Sequence, residues 1–238
     1  MTRLFIADIH ANLPAFEAVL EAAGHVDEVV FLGDVIGCGP YPAECVHLLM
    51  SLSPCAIAGN HDLAILRQPA HEAAAAPAGD WDAWSRCQLS EAHAGYLAAL
   101  PLELNTVSCG ETVRLIHKTD APYYLHPAMP DRLLAEYFRC IPGGTVYCGH
   151  SHRLISRVVD GRRLVCLPPV GQPRNGDPRA GYALEIDGVL EFHFVAYDVE
   201  TVITDLARVG LPDAYRQRWE CFLRRGCDPE WSREYRPE

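Results

Sequence analysis

Short polar motifs stand directly after apolar runs at five points of the chain. They are Asp8-Ile9-His10, Gly33-Asp34, Gly59-Asn60-His61-Asp62, Leu115-Ile116-His117 and Gly149-His150-Ser151-His152. Alternate residues of an extended segment share a face, so Asp8 and His10 would point the same way, as would His150 and His152. Clustered carboxylate, amide and imidazole groups suit divalent first-row metals. Calcium prefers oxygen alone, and structural zinc favours thiolates. The pattern therefore predicts a metal site.

Seven side chains are candidate metal ligands: Asp8, His10, Asp34, Asn60, His117, His150 and His152. Seven exceed what one ion needs, and a bridging carboxylate would divide them between two ions roughly 3.5–4 Å apart, as in hydrolytic two-metal sites. Glycine stands immediately before Asp34, Asn60 and His150. It would let the backbone turn sharply there and bring these groups towards one point.

Each motif also has a structural interpretation when it is taken alone. An Asp after a strand commonly caps a turn or a helix, and a His beside an apolar run is commonly a hydrogen-bonded core residue. Five motifs in the same strand-end context favour the chemical interpretation. The other six histidines lack that context and are predicted to be structural, with His71 kept as a reserve candidate: His25, His47, His71, His93, His126 and His193.

Alternating strands and helices are predicted to position the motifs. The first half has strands at Leu4–Ala7, Val29–Leu32 and Cys55–Ala58, with one helix over Pro14–Ala23 and another over Ala43–Leu52. Short apolar strands that alternate with amphipathic helices favour a parallel sheet covered on both faces. Such proteins usually place their sites at the carboxyl ends of the strands, where these motifs stand.

The second half is predicted to be richer in strands. They are Glu103–Val107, Val113–Ile116, Thr145–Cys148, and two hairpins that turn at Asp160-Gly161 and Asp187-Gly188. Asp-Gly between β-rich runs is a strong signal for a two-residue turn with positive φ at both positions. A helical segment over 67–100, largely helical from Asp82 to Leu100, could cover the site, and a helical tail follows over 212–238. We expect one domain with two sheets over residues 1–238.

Composition restricts the class of partner. The 31 acidic residues exceed the 20 basic ones and give a net charge of −11. No basic stripe is present, so we expect no nucleic-acid partner. No apolar run is long enough for a membrane helix, and the N-terminus does not resemble a signal peptide. The ten cysteines contain no C-x-x-C pair. We therefore expect reduced thiols and a cytoplasmic protein with no membrane partner.

In their order along the chain, these motifs resemble the calcineurin-like metallophosphoesterases. The similarity is greatest to the short bacterial phosphodiesterase branch placed beside diadenosine tetraphosphatases. The motifs span residues 8–152, and weaker similarity continues through Gly171-Gln172-Pro173-Arg174 to about Tyr197. The resemblance implies an α/β fold, a four-layer α/β/β/α sandwich of two mixed sheets flanked by helices, and a binuclear site.

The resemblance also implies a role for each matched residue. Asp8, His10 and His152 would hold the first ion, Asn60, His117 and His150 the second, and Asp34 would bridge them. Manganese is the first candidate for the two divalent ions, with iron, zinc and nickel as alternatives. A hydroxide between the ions would attack phosphorus. His61 would protonate the leaving group, oriented by Asp62. Asn12, Asn60 and Arg174 would contact the phosphate.

The sequence departs from the family pattern at two places. Lys118 follows His117 where the family usually has glycine, and Pro168-Pro169 stands where the family tends to have glycine and serine. Trp81 and Trp84, in the 67–100 segment, could stack a base or simply be packed.

Three functions remain open. The first two would act on a phosphorylated substrate, which we expect to be small, and the third would serve a partner. They are hydrolysis of a phosphodiester or phosphoanhydride, for example in a nucleotide; hydrolysis of a phosphomonoester or phosphoprotein; and a non-catalytic metal-binding scaffold. The intact set of ligands, together with His61, counts against the scaffold. The oligomeric state is left open.

Overall fold

A computed structural model describes residues 1–67, 80–120, 124–139, 141–210 and 212–227. Ten strands lie in this part of the chain: β1 Thr2–Ile6, β2 Glu28–Phe31, β3 Cys55–Ala56, β4 Glu103–Ser108, β5 Glu111–Ile116, β6 Thr145–Cys148, β7 Ile155–Val159, β8 Arg162–Cys166, β9 Ala180–Ile186 and β10 Val189–Val195. Eight helices lie there as well: α1 Leu13–Ala23, α2 Pro42–Ser51, α3 Asn60–Leu66, α4 Trp81–Gln88, α5 Glu91–Ala99, α6 Asp131–Phe138, α7 Val199–Arg208 and α8 Asp213–Arg225. In the described part, no helix combines the length and apolar character that crossing a membrane requires.

The strands form two five-stranded mixed sheets. The first has the order β10-β9-β1-β2-β3, in which β1, β2 and β3 are parallel and β9 and β10 run antiparallel to their neighbours. The second has the order β4-β5-β6-β8-β7, with β5, β6 and β8 parallel and the two edge strands antiparallel. The parallel centre of each sheet therefore sends its carboxyl ends towards one edge.

Side-chain alternation along the strands produces the four layers. In β1, Leu4 and Ile6 pack outward against α1 and α2, whereas Phe5 packs inward against the second sheet. The ring of Phe5 meets Tyr147 of β6 edge-on, with 5.5 Å between the ring centroids. The outer face of the second sheet packs against α6 through residues such as Leu134. Successive strand residues point to opposite faces, so the central strands β1 and β6 are buried on both faces, whereas the edge strands β4 and β7 are partly exposed.

These observations confirm the predicted four-layer α/β/β/α sandwich of two mixed sheets. Both Asp-Gly hairpins form, with φ of 52° and 74° at Asp160 and Gly161 and of 50° and 83° at Asp187 and Gly188. The stretch from Asp82 to Leu100, predicted to be largely helical, forms two helices, α4 and α5. Leu89 and Ser90 take extended backbone between α4 and α5, and the Ser90 side chain caps α5.

Three helices were not predicted from the sequence: α3, α6 and α7. The first begins inside the motif Gly59-Asn60-His61-Asp62, where polar residues conceal the helical periodicity. Residues 68–79, which include the reserve candidate His71, lie outside the described residues, as does the tail beyond 227. The assignment of residues 1–238 to a single domain stays a prediction.

Candidate metal centre

Backbone hydrogen bonds bring the strand-end motifs of the two sheets to one place. The loop after β1 is tied to the loop after β2 because Asp8 N donates to Gly33 O and His10 N donates to Asp34 O, each at 3.0 Å. The second sheet joins through His150, whose backbone N donates to Asp8 Oδ1 at 3.0 Å. Five motifs from both sheets therefore meet at one edge of the sandwich, as predicted from the strand order.

Asp8, His10 and His152 form the first set of converging groups, with one ligand atom of each within 4.8 Å of the others. The Nε2 atoms of His10 and His152 are only 3.0 Å apart. Asp8 Oδ1 lies 3.4 Å from His152 Nε2. All three side chains are almost completely buried. This set coincides with the three residues that the family resemblance assigns to the first ion.

Asp34, His117 and His150 form the second set, again within 4.8 Å of one another. Asp34 Oδ2 is 3.1 Å from His117 Nε2 and 3.7 Å from His10 Nε2 of the first set. Asp34 thus stands between the two sets, which is the position required of a bridging carboxylate. Asn60 opens α3 beside them, and its buried Oδ1 has no hydrogen-bond partner within the described residues.

The imidazoles are oriented by hydrogen bonds on their outer sides. His152 Nδ1 lies 2.6 Å from Gln172 O, and His117 Nδ1 lies 2.7 Å from Leu32 O. Because a carbonyl oxygen only accepts, each Nδ1 carries a proton and Nε2 faces the centre. Metal-binding histidines are commonly held in this way by a carbonyl or carboxylate behind the ring.

Burial controls the charge of three of the four imidazoles in the two sets. Burial lowers the pKa of His10 and of His152 well below the ordinary value and lowers the pKa of His150 to about 3. These rings are therefore neutral near pH 7, which is the form that binds metals.

The pKa values of the other three ionisable groups are set by competing effects. Burial raises the pKa of Asp8 to about 7, opposed by His117. Burial opposes charge on Asp34 as well, yet His117 and His61 hold the pKa of Asp34 well below its usual range. At His117 burial works against the proton, but Asp34 and Asp8 together raise the pKa to about 10. The buried carboxylates of Asp8 and Asp34 therefore favour a positive charge at this point.

The donor set fits divalent metal ions. Besides Asn60 Oδ1, the buried atoms Asp8 Oδ2, Asp34 Oδ2 and His117 Nε2 lack hydrogen-bond partners in the described chain. Leaving buried polar atoms unpaired costs about 1–3 kcal/mol each, and more for charged groups. Two nitrogen and oxygen sets that share a carboxylate would satisfy these atoms by coordinating two cations.

The backbone at the centre adopts an uncommon conformation. Five of the seven candidate ligands have left-handed φ: Asp8 at 55°, His10 at 49°, Asp34 at 61°, His150 at 66° and His152 at 54°. Non-glycine residues seldom adopt this conformation, and such strain concentrates at functional sites. Gly59 allows the loops to close, because a Cβ atom there would collide with the backbone N and the carboxylate of Asp34.

His61 lies at the edge of the centre. Its backbone N donates to Asp34 Oδ1 at 2.8 Å, and its ring meets His10 edge-on with 5.0 Å between centroids. The ring is half-buried and rests on Gly37, where a Cβ atom would come within 2.7 Å of His61 Nδ1. This position allows the imidazole to reach a substrate from the solvent side.

Asp62 does not lie where an orienting role for His61 would place it. Its buried carboxylate accepts four backbone hydrogen bonds, from Asp34 N at 2.8 Å, Val35 N at 3.0 Å, Ile36 N at 3.3 Å and Gly59 N at 2.9 Å. Both oxygens are thereby used. Asp62 holds the Asp34 loop, and the geometry favours this role over the predicted contact with the His61 ring.

Asn12 is also engaged within the protein. Its Oδ1 caps α1 by accepting from Ala15 N at 3.3 Å, and its Nδ2 donates to Gly171 O at 2.9 Å and to Tyr197 Oη at 3.2 Å. Both amide protons are used, so a phosphate contact from Asn12 would require one of these bonds to break. The geometry favours a structural role.

Arg174 is a buried cation beside the centre. Its Nη2 donates to Gln172 Oε1 at 2.8 Å. Its guanidinium lies over the rings of Tyr124 and Phe222, at 5.0 and 5.6 Å from their centroids. The charge is close enough to lower the pKa of His10 and His152 after the larger effect of burial. Arg174 is therefore placed for contact with an anionic substrate.

Several residues near the centre were not found from the sequence. The ring of Tyr124 stacks on His150, with centroids 4.7 Å apart and an interplanar angle of 18°. Cys38 lies beside His10 and His61. Tyr215 and Phe222 reach the site from α8. No local signal marks these residues, because remote elements bring them to the site.

The sequence departs from the family pattern at Lys118, which is exposed, and at Pro168-Pro169, which is buried. Lys118 is exposed, although its charge contributes to lowering the pKa of His150 after burial and His117. Pro168 and Pro169 are buried beneath β9, where Gly181 N donates to Pro169 O at 2.8 Å.

Trp81 stacks on Trp84 and on Tyr215, with ring centroids 4.7 and 5.8 Å apart. This arrangement favours packing over base binding for the nearly buried Trp81.

Comparison with known proteins agrees with this arrangement. The model for the calcineurin-like phosphoesterase superfamily domain matches residues 1–188. The structure of a metallophosphoesterase from Sphaerobacter thermophilus is 31% identical, with a TM-score of 0.77 over 95% of this chain and 99% of that one.

Two archaeal relatives are more distant. An uncharacterised protein of Methanocaldococcus jannaschii is 27% identical, over 90% of this chain and 95% of its own. A hypothetical protein of Pyrococcus horikoshii shares the fold at 19% identity, with a TM-score of 0.78 over 91% of this chain and 96% of that one.

The chain belongs to the calcineurin-like phosphoesterase superfamily, a family of metal-binding hydrolases that act on phosphorylated substrates. The resemblance seen in the sequence motifs is thereby confirmed.

Proposed function

We propose that this protein hydrolyses a phosphodiester or phosphoanhydride bond in a small molecule or nucleotide, using two divalent metal ions. The observation that carries the proposal is the position of Asp34, whose Oδ2 lies 3.1 Å from His117 Nε2 and 3.7 Å from His10 Nε2. One carboxylate thus adjoins two separate sets of buried ligands. This arrangement is the one expected of a binuclear hydrolase.

Each ion would be held by the residues of one set. Asp8, His10 and His152 would bind the first ion, and Asn60, His117 and His150 the second, with Asp34 shared. When bound, two such ions supply an activated water and neutralise charge on the phosphoryl oxygens. Manganese is our first candidate, with iron, zinc and nickel as alternatives, because mixed nitrogen and oxygen sites accept several of these metals.

His61 would protonate the leaving oxygen. Its backbone is fixed to Asp34 by a 2.8 Å hydrogen bond, which holds the residue beside the centre. A general acid contributes most when the leaving group is a poor one. Asp62 would act indirectly, by holding the loop that carries Asp34.

Arg174 would bind an anionic oxygen of the substrate. A buried guanidinium offers several N–H donors in a fixed plane and matches phosphate geometry. Asn60 would contact phosphate through its amide when its oxygen is coordinated. The contact predicted for Asn12 is a weaker part of the proposal, because its amide protons are already used.

Two alternatives compete with this proposal. A phosphomonoesterase or protein phosphatase would use the same centre, and a metal-binding scaffold would keep the metals without turnover. The first is separated by comparing an aryl phosphodiester with the matching aryl phosphomonoester. The second is disfavoured by the half-buried His61, which reaches solvent beside the centre and has no evident structural purpose.

The primary test uses metal-stripped protein refilled with manganese, with elemental analysis before and after refilling. We expect hydrolysis of the aryl phosphodiester that depends on about two ions per chain. Asp34→Ala should lose metal and activity together, whereas Asp187→Ala, at an exposed hairpin turn, should keep both. Bound metal without turnover of either ester would reject the enzymatic proposal in favour of a scaffold.

We also propose a cytoplasmic location. The nine cysteines in the described part of the chain are all free thiols. Free thiols are typical of a reducing compartment.

A further inference from the structure

A second group of potential metal ligands adjoins the centre on its solvent side. One ligand atom each of His10, Cys38 and His61 lies within 4.8 Å of the other two. The proposed hydrolysis makes no use of Cys38. His10 is buried, whereas Cys38 and His61 are half-buried, so the group is accessible from solvent.

The loop after β2 brings the thiol to this position. Gly37 and Cys38 have φ of 96° and 66°, and this left-handed pair folds the loop beneath the ring of His61. Cysteine is not among the residues that readily adopt such a conformation. The unusual backbone therefore fixes the thiol between two imidazoles.

His10 supplies an independent indication of a ligand. Its Nε2 faces His152 and Asp34 in the centre, while its other nitrogen, Nδ1, is buried without a hydrogen-bond partner in the described part of the protein. The side chain is only 1% exposed. A buried nitrogen without a hydrogen-bond partner, on a residue of this group, is a feature that a bound cation would satisfy.

The chemistry of this group differs from that of the main centre. The main centre offers only oxygen and nitrogen, whereas a thiolate with imidazoles selects softer ions such as zinc. Zinc–sulfur bonds are about 2.3 Å and zinc–nitrogen bonds about 2.0–2.1 Å, so a tetrahedral ion needs ligand atoms roughly 3.3–3.6 Å apart. Movements of these side chains by roughly 1 Å from the observed separations of up to 4.8 Å would meet this requirement.

The surroundings provide negative charge and a hydrogen bond. Asp82 of α4 acts on both Cys38 and His61, and Tyr215 of α8 is hydrogen-bonded to Cys38. Arg174 contributes positive charge that also acts on the thiol. Burial raises the pKa of Cys38 to about 11, so the free thiol is protonated and would release its proton to solvent when a metal–sulfur bond forms.

We propose that Cys38 and His61, together with His10, form a third metal site that takes zinc-like soft ions and inhibits the enzyme. An ion bound there would occupy the imidazole that we assign to leaving-group protonation and would share His10 with the first ion. The inhibitory part of this inference rests on the proposed function, whereas the existence of the site does not.

The first test measures binding directly. Manganese-loaded protein is titrated with cadmium, and the ultraviolet charge-transfer absorption of the cadmium–thiolate bond is recorded. We expect absorption that saturates at about one cadmium per chain and is lost in Cys38→Ser and Cys38→Ala, because the main centre contains no thiolate. Cys87→Ser removes an exposed thiol of α4 and should leave the saturating signal intact. Equal signals in wild type and both Cys38 variants would overturn the site.

The second test measures inhibition of the manganese enzyme by zinc. We expect Cys38→Ser to keep basal turnover and to require about tenfold more zinc for half inhibition, equivalent to ~1.4 kcal/mol. Unchanged inhibition in Cys38→Ser would overturn the inhibitory role and assign the effect to displacement of manganese. If the protein proves to have no hydrolytic activity, the cadmium absorption still decides whether the site exists.

Discussion

Substitution of Asp62 distinguishes two ways in which this carboxylate could serve the centre. If Asp62 orients His61, its loss should slow turnover and leave the metals in place. If it holds the Asp34 loop, as its four backbone hydrogen bonds indicate, its loss should weaken both the fold and metal binding. The contacts favour the second outcome.

The magnitude follows from those contacts. A hydrogen bond to a charged group contributes about 1.5–3 kcal/mol, so four such bonds represent about 6–12 kcal/mol. Burial and the charge of Asp34 oppose this gain, since they raise the pKa of Asp62 to about 6 even with these hydrogen bonds in place. Allowing for relaxation and entry of water, we expect Asp62→Ala to lower the free energy of unfolding by about 3–5 kcal/mol.

The assay is urea denaturation of the metal-stripped protein, followed by elemental analysis after refilling with manganese. Asp62→Asn keeps one acceptor oxygen and should lose roughly half as much stability as Asp62→Ala. Asp198→Ala is the matched control for Asp62→Ala, because Asp198 caps α7 through one backbone bond from Thr201 N, and the loss of this cap should cost about 1 kcal/mol. Wild-type stability and metal content in Asp62→Asn, with slowed turnover alone, would refute the reasoning.

Four further predictions address the centre. His61→Ala should retain metal but lose turnover, most for esters with poor leaving groups, while His25→Ala at the surface should match wild type; equal losses for good and poor leaving groups would argue against His61 as the acid. Gly59→Ala should abolish metal binding measured by elemental analysis, because its Cβ would displace Asp34. Asn12→Ala should lower stability to urea by about 2–3 kcal/mol with unchanged KM, and the reverse pattern would support a phosphate contact. Manganese at about 100 times its Kd should stabilise the stripped protein by about 2.7 kcal/mol per site, visible as a higher Tm.

The convergence of the candidate ligands could be predicted from sequence because each stands within four residues of the end of a strand. Asp8 stands two residues beyond the end of β1, and His117 stands one residue beyond β5. Parallel strands place such positions at one edge, so strand order alone brings the groups together. The hairpins were predictable for a similarly local reason, since Asp-Gly supplies the turn conformation without help from distant residues.

The surroundings of the centre could not be predicted in this way. Tyr124, Cys38 and Phe222 belong to three separate segments, and their contacts with the site depend on how those segments pack. Asp62 was misinterpreted because its sequence neighbour is His61, whereas its carboxylate is directed at the backbone of another loop. Adjacent residues at the start of a helix point in different directions, so adjacency is a poor guide to contact.

The centre combines two features that cost free energy: left-handed backbone at several ligands and burial of two neighbouring carboxylates. Left-handed φ at a non-glycine residue costs of order 1–3 kcal/mol, and five candidate ligands carry it. Burial of Asp8 and Asp34 side by side adds electrostatic repulsion, which the raised pKa of Asp8 reflects. Hydrogen bonds such as those of Asp62 offset part of this cost. Cations that coordinate both carboxylates would offset the remaining cost. The residues that destabilise the metal-free centre would therefore make the metal-bound centre selective and rigid.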